Sequence, residues 1–181
     1  PRSTPLYSSA ASDVYKRQTP DDLASLTDRA RALIVAIGQP VADDPARGLT
    51  PSELAGCVTR TLALPEIVEL RPTLAPEFPV YSSTDVEDVE QANAGITDAT
   101  SFDSEGKPTV VIDWKSDVQP TPETIDHYRA QVRNYLDMTG TERGLIVLVT
   151  TGDIIAVTPS PLAAVAAWSP VPGGGTRWSH E

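Results

Sequence analysis

Apolar positions recur along the chain with two different periods, and the switches between them divide it into elements. Leu23, Leu26, Ala30, Leu33, Ile34 and Ile37 follow helical spacing. Asp21 and Asp22 precede them, which suits the positive end of a helix dipole. Gly38 and Pro40 form a stop, so the pattern predicts a helix over 20–38. Thr50-Pro51-Ser52-Glu53 combines an N-cap, a proline at the first helical position and a glutamate at N3. That predicts a second helix running to about Leu64, where Pro65 interrupts it. Ile67, Val68 and Leu70 suggest one further short turn. The second half of the chain changes period. Glu77-Phe78-Pro79-Val80-Tyr81 reads as a short edge strand, because Pro79 has no N–H for a ladder. Residues 94–102 and 109–115 read as strands joined by a polar, Gly-containing connection, and they are predicted to pair antiparallel. Thr121-Pro122-Glu123 opens a helix through His127, Tyr128, Gln131, Val132, Tyr135 and Leu136, ending near Gly140. Residues 145–150 are continuously apolar up to Thr150, as in a strand buried on both faces. Gly152-Asp153 reads as a hairpin turn into a last strand over 154–157. A short helix over 161–168 and a flexible tail over 169–181 complete the prediction. The class is α/β, with a mixed central β-sheet flanked by helices.

Composition narrows the picture. A chain of 181 residues that is 40% hydrophobic supports one domain and one core. No apolar run has transmembrane length and no signal-peptide pattern is present, so no membrane partner is expected. The single cysteine, Cys57, rules out an internal disulfide framework and fits a reducing, cytoplasmic setting. It falls on the apolar face of its helix with Leu54, Val58 and Leu62, and reads as core. The formal charge of −11 argues against a free-standing, non-specific nucleic-acid binder. It leaves room for a metal site, which needs carboxylates, in an assembly that supplies basic surface elsewhere.

The candidate chemistry lies in Val110-Val111-Ile112-Asp113-Trp114-Lys115-Ser116-Asp117. Side chains alternate along a strand, so Asp113 and Lys115 point to one face. They read either as a structural ion pair or as a metal ligand beside a charge stabiliser. Asp98 sits on the strand expected to pair with this one. Gln131 and Tyr135 are four apart and share a helix face. Alone, each has a plain reading: Asp98 as a solvent-facing strand residue, Gln131 as an exposed helix residue, Tyr135 as a core aromatic. Asp85, Glu87, Asp88 and Glu90 form an acidic stretch with nothing nearby to balance it, and they are expected in a solvated loop.

The order of these pieces resembles the PD-(D/E)XK nuclease superfamily. It is most similar to the RecB-type domain at the C-terminus of UvrD-like helicase–nucleases. Gly95-Ile96-Thr97-Asp98 matches the family's G-h-x-D, Ile112-Asp113-Trp114-Lys115 its h-D-[YW]-K, and Gln131-Val132-Arg133-Asn134-Tyr135 its Q-x-x-x-Y. Glu77 ahead of Pro79 resembles the acid that often precedes these motifs. The resemblance spans roughly residues 50–158. It implies a restriction-endonuclease-like core. It further implies Mg²⁺ or Mn²⁺ held by Asp98, Asp113 and the Trp114 backbone carbonyl, with Lys115 stabilising charge. Gln131 and Tyr135 would position the lysine or the DNA strand. DNA and a helicase domain of the same parent chain are the implied partners, and a partner subunit is left open. The implied activity is Mg²⁺-dependent exonucleolytic hydrolysis of DNA in double-strand-break repair or recombination. Two alternatives stand beside it: a stand-alone endonuclease of this superfamily, and a nuclease-like domain that no longer cuts and serves in DNA binding or structure.

Two features depart from that pattern. RecB-type domains carry a metal-binding histidine in a helix ahead of the first strand, and no histidine occurs here before His127. Residues 8–18 resemble a transposase-type sequencing adapter read in frame, and residues 1–4 the flow-cell primer ahead of it. The segment 1–18 is therefore read as foreign to the fold. The nuclease-like domain is expected over 19–168, truncated at its N-terminus, with a weakened metal site. Robust Mg²⁺-dependent cleavage by the isolated chain would contradict that expectation.

Overall fold

The structure, a computed structural model, describes residues 23–86 and 89–160, with the side chains of all these except Leu23 and residues 84–91. The segments 1–18, 161–168 and 169–181, for which the sequence suggested an adapter, a helix and a tail, lie outside the described residues.

The chain opens with helix α1 (Leu23–Ala36), α2 (Pro51–Leu62), α3 (Pro65–Leu70) and a 3-10 turn (Arg71–Thr73). Strands β1 (Leu74–Val86), β2 (Val89–Phe102) and β3 (Pro108–Lys115) follow. Helix α4 (Pro122–Thr139) then leads to β4 (Gly144–Leu148) and β5 (Asp153–Val157). The five strands lie in sequence order in one sheet. Every pairing is antiparallel except β3 with β4, which run parallel and are bridged by α4. A parallel pair needs such a crossover, and this one puts α4 on one face of the sheet.

Local chemistry explains the helix ends. Thr50 and Thr121 accept hydrogen bonds from the N–H groups of Glu53 and Thr124, both at 3.2 Å, and a proline occupies the first turn behind each. Gly140 ends α4 at φ +66°, a conformation that favours glycine.

The central strands divide the core in two. On one face Val110, Ile112 and Trp114 meet Leu145, Val147 and Val149 beneath Leu26, Ala30 and Ile34 of α1 and Leu54, Val58 and Leu62 of α2. Cys57 is buried in α2, as its position predicts. On the other face Val111, Ile146, Leu148 and Val157 pack against Tyr128, Val132 and Leu136 of α4. Strand β4 is buried along its whole length, as its unbroken apolar run predicts. The mixed, helix-flanked sheet is the architecture the periodicity implied. Among the described residues no helix is long and apolar enough to cross a membrane.

One expectation needs correction. Strands β1 and β2 form a far longer hairpin than 77–81 and 94–102, with backbone pairing as far as Asp85–Glu90 and Val86–Val89. Asp85 and Glu90, expected in a loop, therefore belong to paired backbone, while Glu87 and Asp88 lie outside the described residues. A ladder needs only N–H and C=O groups, and Ser82, Ser83, Ala92 and Asn93 offer no hydrophobic period to read. The segment after Pro65 is also more regular than one short turn. Pro79 does lie on an edge strand.

Candidate active site

The site begins where β2 and β3 part. Their paired register runs from Phe102 to Ala99, opposite Ile112. At the next residue the Asp98 side chain takes over: its Oδ2 accepts the Trp114 N–H at 2.8 Å. A carboxylate thus sits at the divergence, tied to the backbone of the second motif.

On β3 the alternation separates support from chemistry. Ile112 and Trp114 anchor the strand in the α1–α2 core, while Val111, Asp113 and Lys115 face α4. Asp113 is only 1% exposed. The Lys115 ammonium lies 2.8 Å from Asp113 Oδ2, an ion pair by distance. It lies off the hydrogen-bonding direction, so Oδ2 accepts no aligned hydrogen bond. Burial pushes the Asp113 carboxyl up to about 6; Lys115 opposes the shift and Asp98 adds to it. Burial also raises Asp98, against the Trp114 N–H and Lys115, with the Glu77 charge reinforcing the rise.

Helix α4 supplies the third side. Lys115 Nζ donates to Gln131 Oε1 at 3.1 Å, and Gln131 Nε2 donates to the Tyr135 hydroxyl at 3.3 Å. The two helix residues act in series, Tyr135 orienting the amide whose oxygen holds the lysine. Tyr135 can come this close to β2 because Gly95 has no side chain: a Cβ there would lie 3.0 Å from Tyr135 Cε1. The glycine of the first motif and the tyrosine of the third are therefore packing partners.

Asp98, Asp113, Lys115, Gln131 and Tyr135, all singled out in the sequence, are brought together. Glu77 is exposed on β1 at φ +49°, a left-handed conformation uncommon for a non-glycine residue. It is near enough to influence Asp98, yet among the described residues no three His, Cys, Asp or Glu side chains gather into a metal-holding group. His127 lies exposed on α4.

Sequence reading passed over Tyr128 as a functional residue and placed Asp117 only loosely. The Tyr128 hydroxyl donates to Asp117 Oδ2 at 2.6 Å, and Lys115 Nζ stands 4.6 Å from the Tyr128 ring centroid. Burial and Asp117 raise the Tyr128 phenol well above its ordinary range. The signal was present in the spacing: residues 128, 131 and 135 lie at i, i+3 and i+7 on one helix face.

The donor set suits a hard divalent cation. Two carboxylates face one ammonium, so the cluster carries more negative than positive charge. The Asp113 oxygen lacking an aligned hydrogen bond is a ready ligand atom. The Lys115 carbonyl accepts from Val149 N–H on the β4 side, so alternation turns the Trp114 carbonyl toward β2 and Asp98.

No protein-family profile and no curated protein matches the chain in sequence. Among solved structures the chain is similar to one described as "Crystal structure of SSO0001". The TM-score is 0.44 and the identity 18%, covering 90% of this chain and 80% of that one.

Proposed function

We propose that the chain is a metal-dependent DNA nuclease module that hydrolyses phosphodiester bonds. The observation that carries this reading is the convergence of Asp98, Asp113 and Lys115 at the parting of β2 and β3, with Gln131 ordering the lysine. Asp98, Asp113 and the Trp114 carbonyl would hold Mg²⁺ or Mn²⁺. The ion supplies Lewis-acid polarisation of a phosphoryl oxygen and acidification of water. Lys115 places a fixed positive charge where the attacked phosphate accumulates negative charge. Gln131 and Tyr135 keep that ammonium from swinging into solvent.

The parent context belongs to the same proposal. The formal charge of −11 means that basic surface for DNA comes from elsewhere in an assembly, which fits a helicase delivering a strand end. Such a module would serve double-strand-break repair or recombination in the cytoplasm.

Calorimetric titration with Mn²⁺, paired with hydrolysis of end-labelled single-stranded DNA, tests the reading. Binding by the parent chain that is lost in Asp113→Ala and in Asp98→Asn is expected. Equal binding by parent and variants would sink the proposal.

A further inference from the structure

Lys115 has one neighbour that the nuclease motifs do not account for. Its ammonium stands over the Tyr128 ring, 4.6 Å from the centroid, within cation–π range. Tyr128 is 8% exposed and sits one helical turn before Gln131. Its hydroxyl donates to Asp117 Oδ2 at 2.6 Å. The Asp117 backbone carbonyl accepts the Thr150 hydroxyl at 2.8 Å, which ties the segment after β3 to the end of β4. The ring is thus fixed at both ends, by α4 and by a residue anchored to the sheet.

We infer that Tyr128 and Asp117 are positioning residues for Lys115: the ring forms the wall on which the ammonium rests, and Asp117 sets the orientation of that wall. Gln131 and Asp113 contact the ammonium from other directions, and neither supplies a flat apolar surface. A lysine has four rotatable side-chain bonds, and its freedom is costly to restrain. An aromatic face restrains it without offering an acceptor that would compete with Asp113. Donation of the hydroxyl proton to a carboxylate leaves the ring more electron-rich, which strengthens its attraction for a cation. The consequence for catalysis rests on the nuclease reading above; the clamp itself does not.

The chain has three lysines, Lys16, Lys107 and Lys115, so lysine labelled with carbon-13 at Cε gives three methylene signals. Loss of one signal in Lys115→Arg assigns the third. Protons above a ring face are shielded, so the Lys115 signal is expected upfield of the other two. Tyr128→Phe and Asp117→Ala remove the same hydrogen bond, so each should reduce that shift to a similar extent without abolishing it. Tyr128→Leu should abolish it while the backbone amide spectrum elsewhere stays in place. A wild-type Lys115 signal beside Lys16 and Lys107 would overturn the clamp even if Tyr128→Leu failed to fold. A shift unchanged in a folded Tyr128→Leu would do the same, and a shift unchanged in Asp117→Ala would remove Asp117 from it.

Adding Mn²⁺ alone to the same samples separates the two claims. Paramagnetic broadening confined to Lys115 supports the metal site. An upfield Lys115 that Mn²⁺ leaves sharp even at millimolar concentration, where a weakened site still fills, keeps the clamp and removes the metal site on which the nuclease reading rests. A Lys115 that is broadened without being shielded does the reverse.

Discussion

The ring of Tyr135 occupies the space that a side chain on Gly95 would need, with Cε1 3.0 Å from the position of a Cβ there. Val80 Cγ2 closes the other side at 3.5 Å. Gly95→Ala should therefore shift Tyr135 by a few tenths of an ångström. The overpacking cost of about 1 kcal/mol is largely offset by the ~0.4–1 kcal/mol gained by restricting the unfolded chain. Gly95→Val has no such compensation and should lose about 2–3 kcal/mol. Urea denaturation measures both. A neutral valine variant would show that Tyr135 is not seated against β2.

A second close approach joins α4 to β4. A Cβ on Gly144 would lie 2.4 Å from Val132 Cγ1, and Val132 is fully buried. Here the obstacle is a branched, packed side chain, so Gly144→Ala should destabilise by roughly 1–3 kcal/mol. Val132→Ala opens a cavity and also costs stability when made alone. In the double variant the new methyl partly fills the space that Val132 vacates. The combined loss should then be smaller than the two single losses together, and strict additivity would contradict the contact.

How legible all this was in the sequence depended on burial. The Thr50 and Thr121 caps, the Gly140 stop and the buried β4 were readable because local chemistry or an apolar run marks each one. The Asp113–Lys115 pairing on one face followed from strand alternation alone. The reach of the β1–β2 hairpin was not readable, because it is held by backbone bonds and Ser82, Ser83, Ala92 and Asn93 carry no hydrophobic period. Tyr128 was passed over because it looks like any core aromatic on a helix. Its role depends on Asp117, eleven residues away across a loop. Gly95 was visible as a motif glycine, but the ring that requires it belongs to another element.

Cys57 offers a check on the helical face of the core. It is buried in α2, its thiol pushed up chiefly by desolvation and eased by Arg60, whose Nη2 lies 3.2 Å from Sγ. A thiol reagent reacts with thiolate, so both burial and the raised pKa protect this residue. Labelling at neutral pH should be slow in the folded chain and should rise along the denaturant curve in step with loss of helical circular dichroism. Rapid labelling well below the unfolding midpoint would show that α2 opens locally.

The sharpest prediction concerns Asp113 in the chain held free of metal by a chelator. Its carboxyl titrates at about 6 when folded, against ~3.9 for an unfolded aspartate. The folded chain therefore binds the proton more tightly. Asp113 favours folding fully below the unfolded value, and this contribution is lost as pH rises through the folded one. Asp98 shifts in the same direction and steepens the slope. Desolvation outweighs the attraction of Lys115, so Asp113→Asn should stabilise the metal-free chain at pH 7.5 by about 1–2 kcal/mol. The advantage should shrink to about 0.5 kcal/mol by pH 4, where the folded aspartate is neutral and the unfolded one is about half ionised. Thermal melts from pH 4 to 8 measure it. A wild-type melting temperature that rises through pH 5–7 would reverse the sign and refute the buried carboxyl. On the nuclease reading, Mg²⁺ at pH 7.5 should raise the wild-type melting temperature and leave Asp113→Asn unmoved, because the cation relieves the same uncompensated charge that the substitution removes.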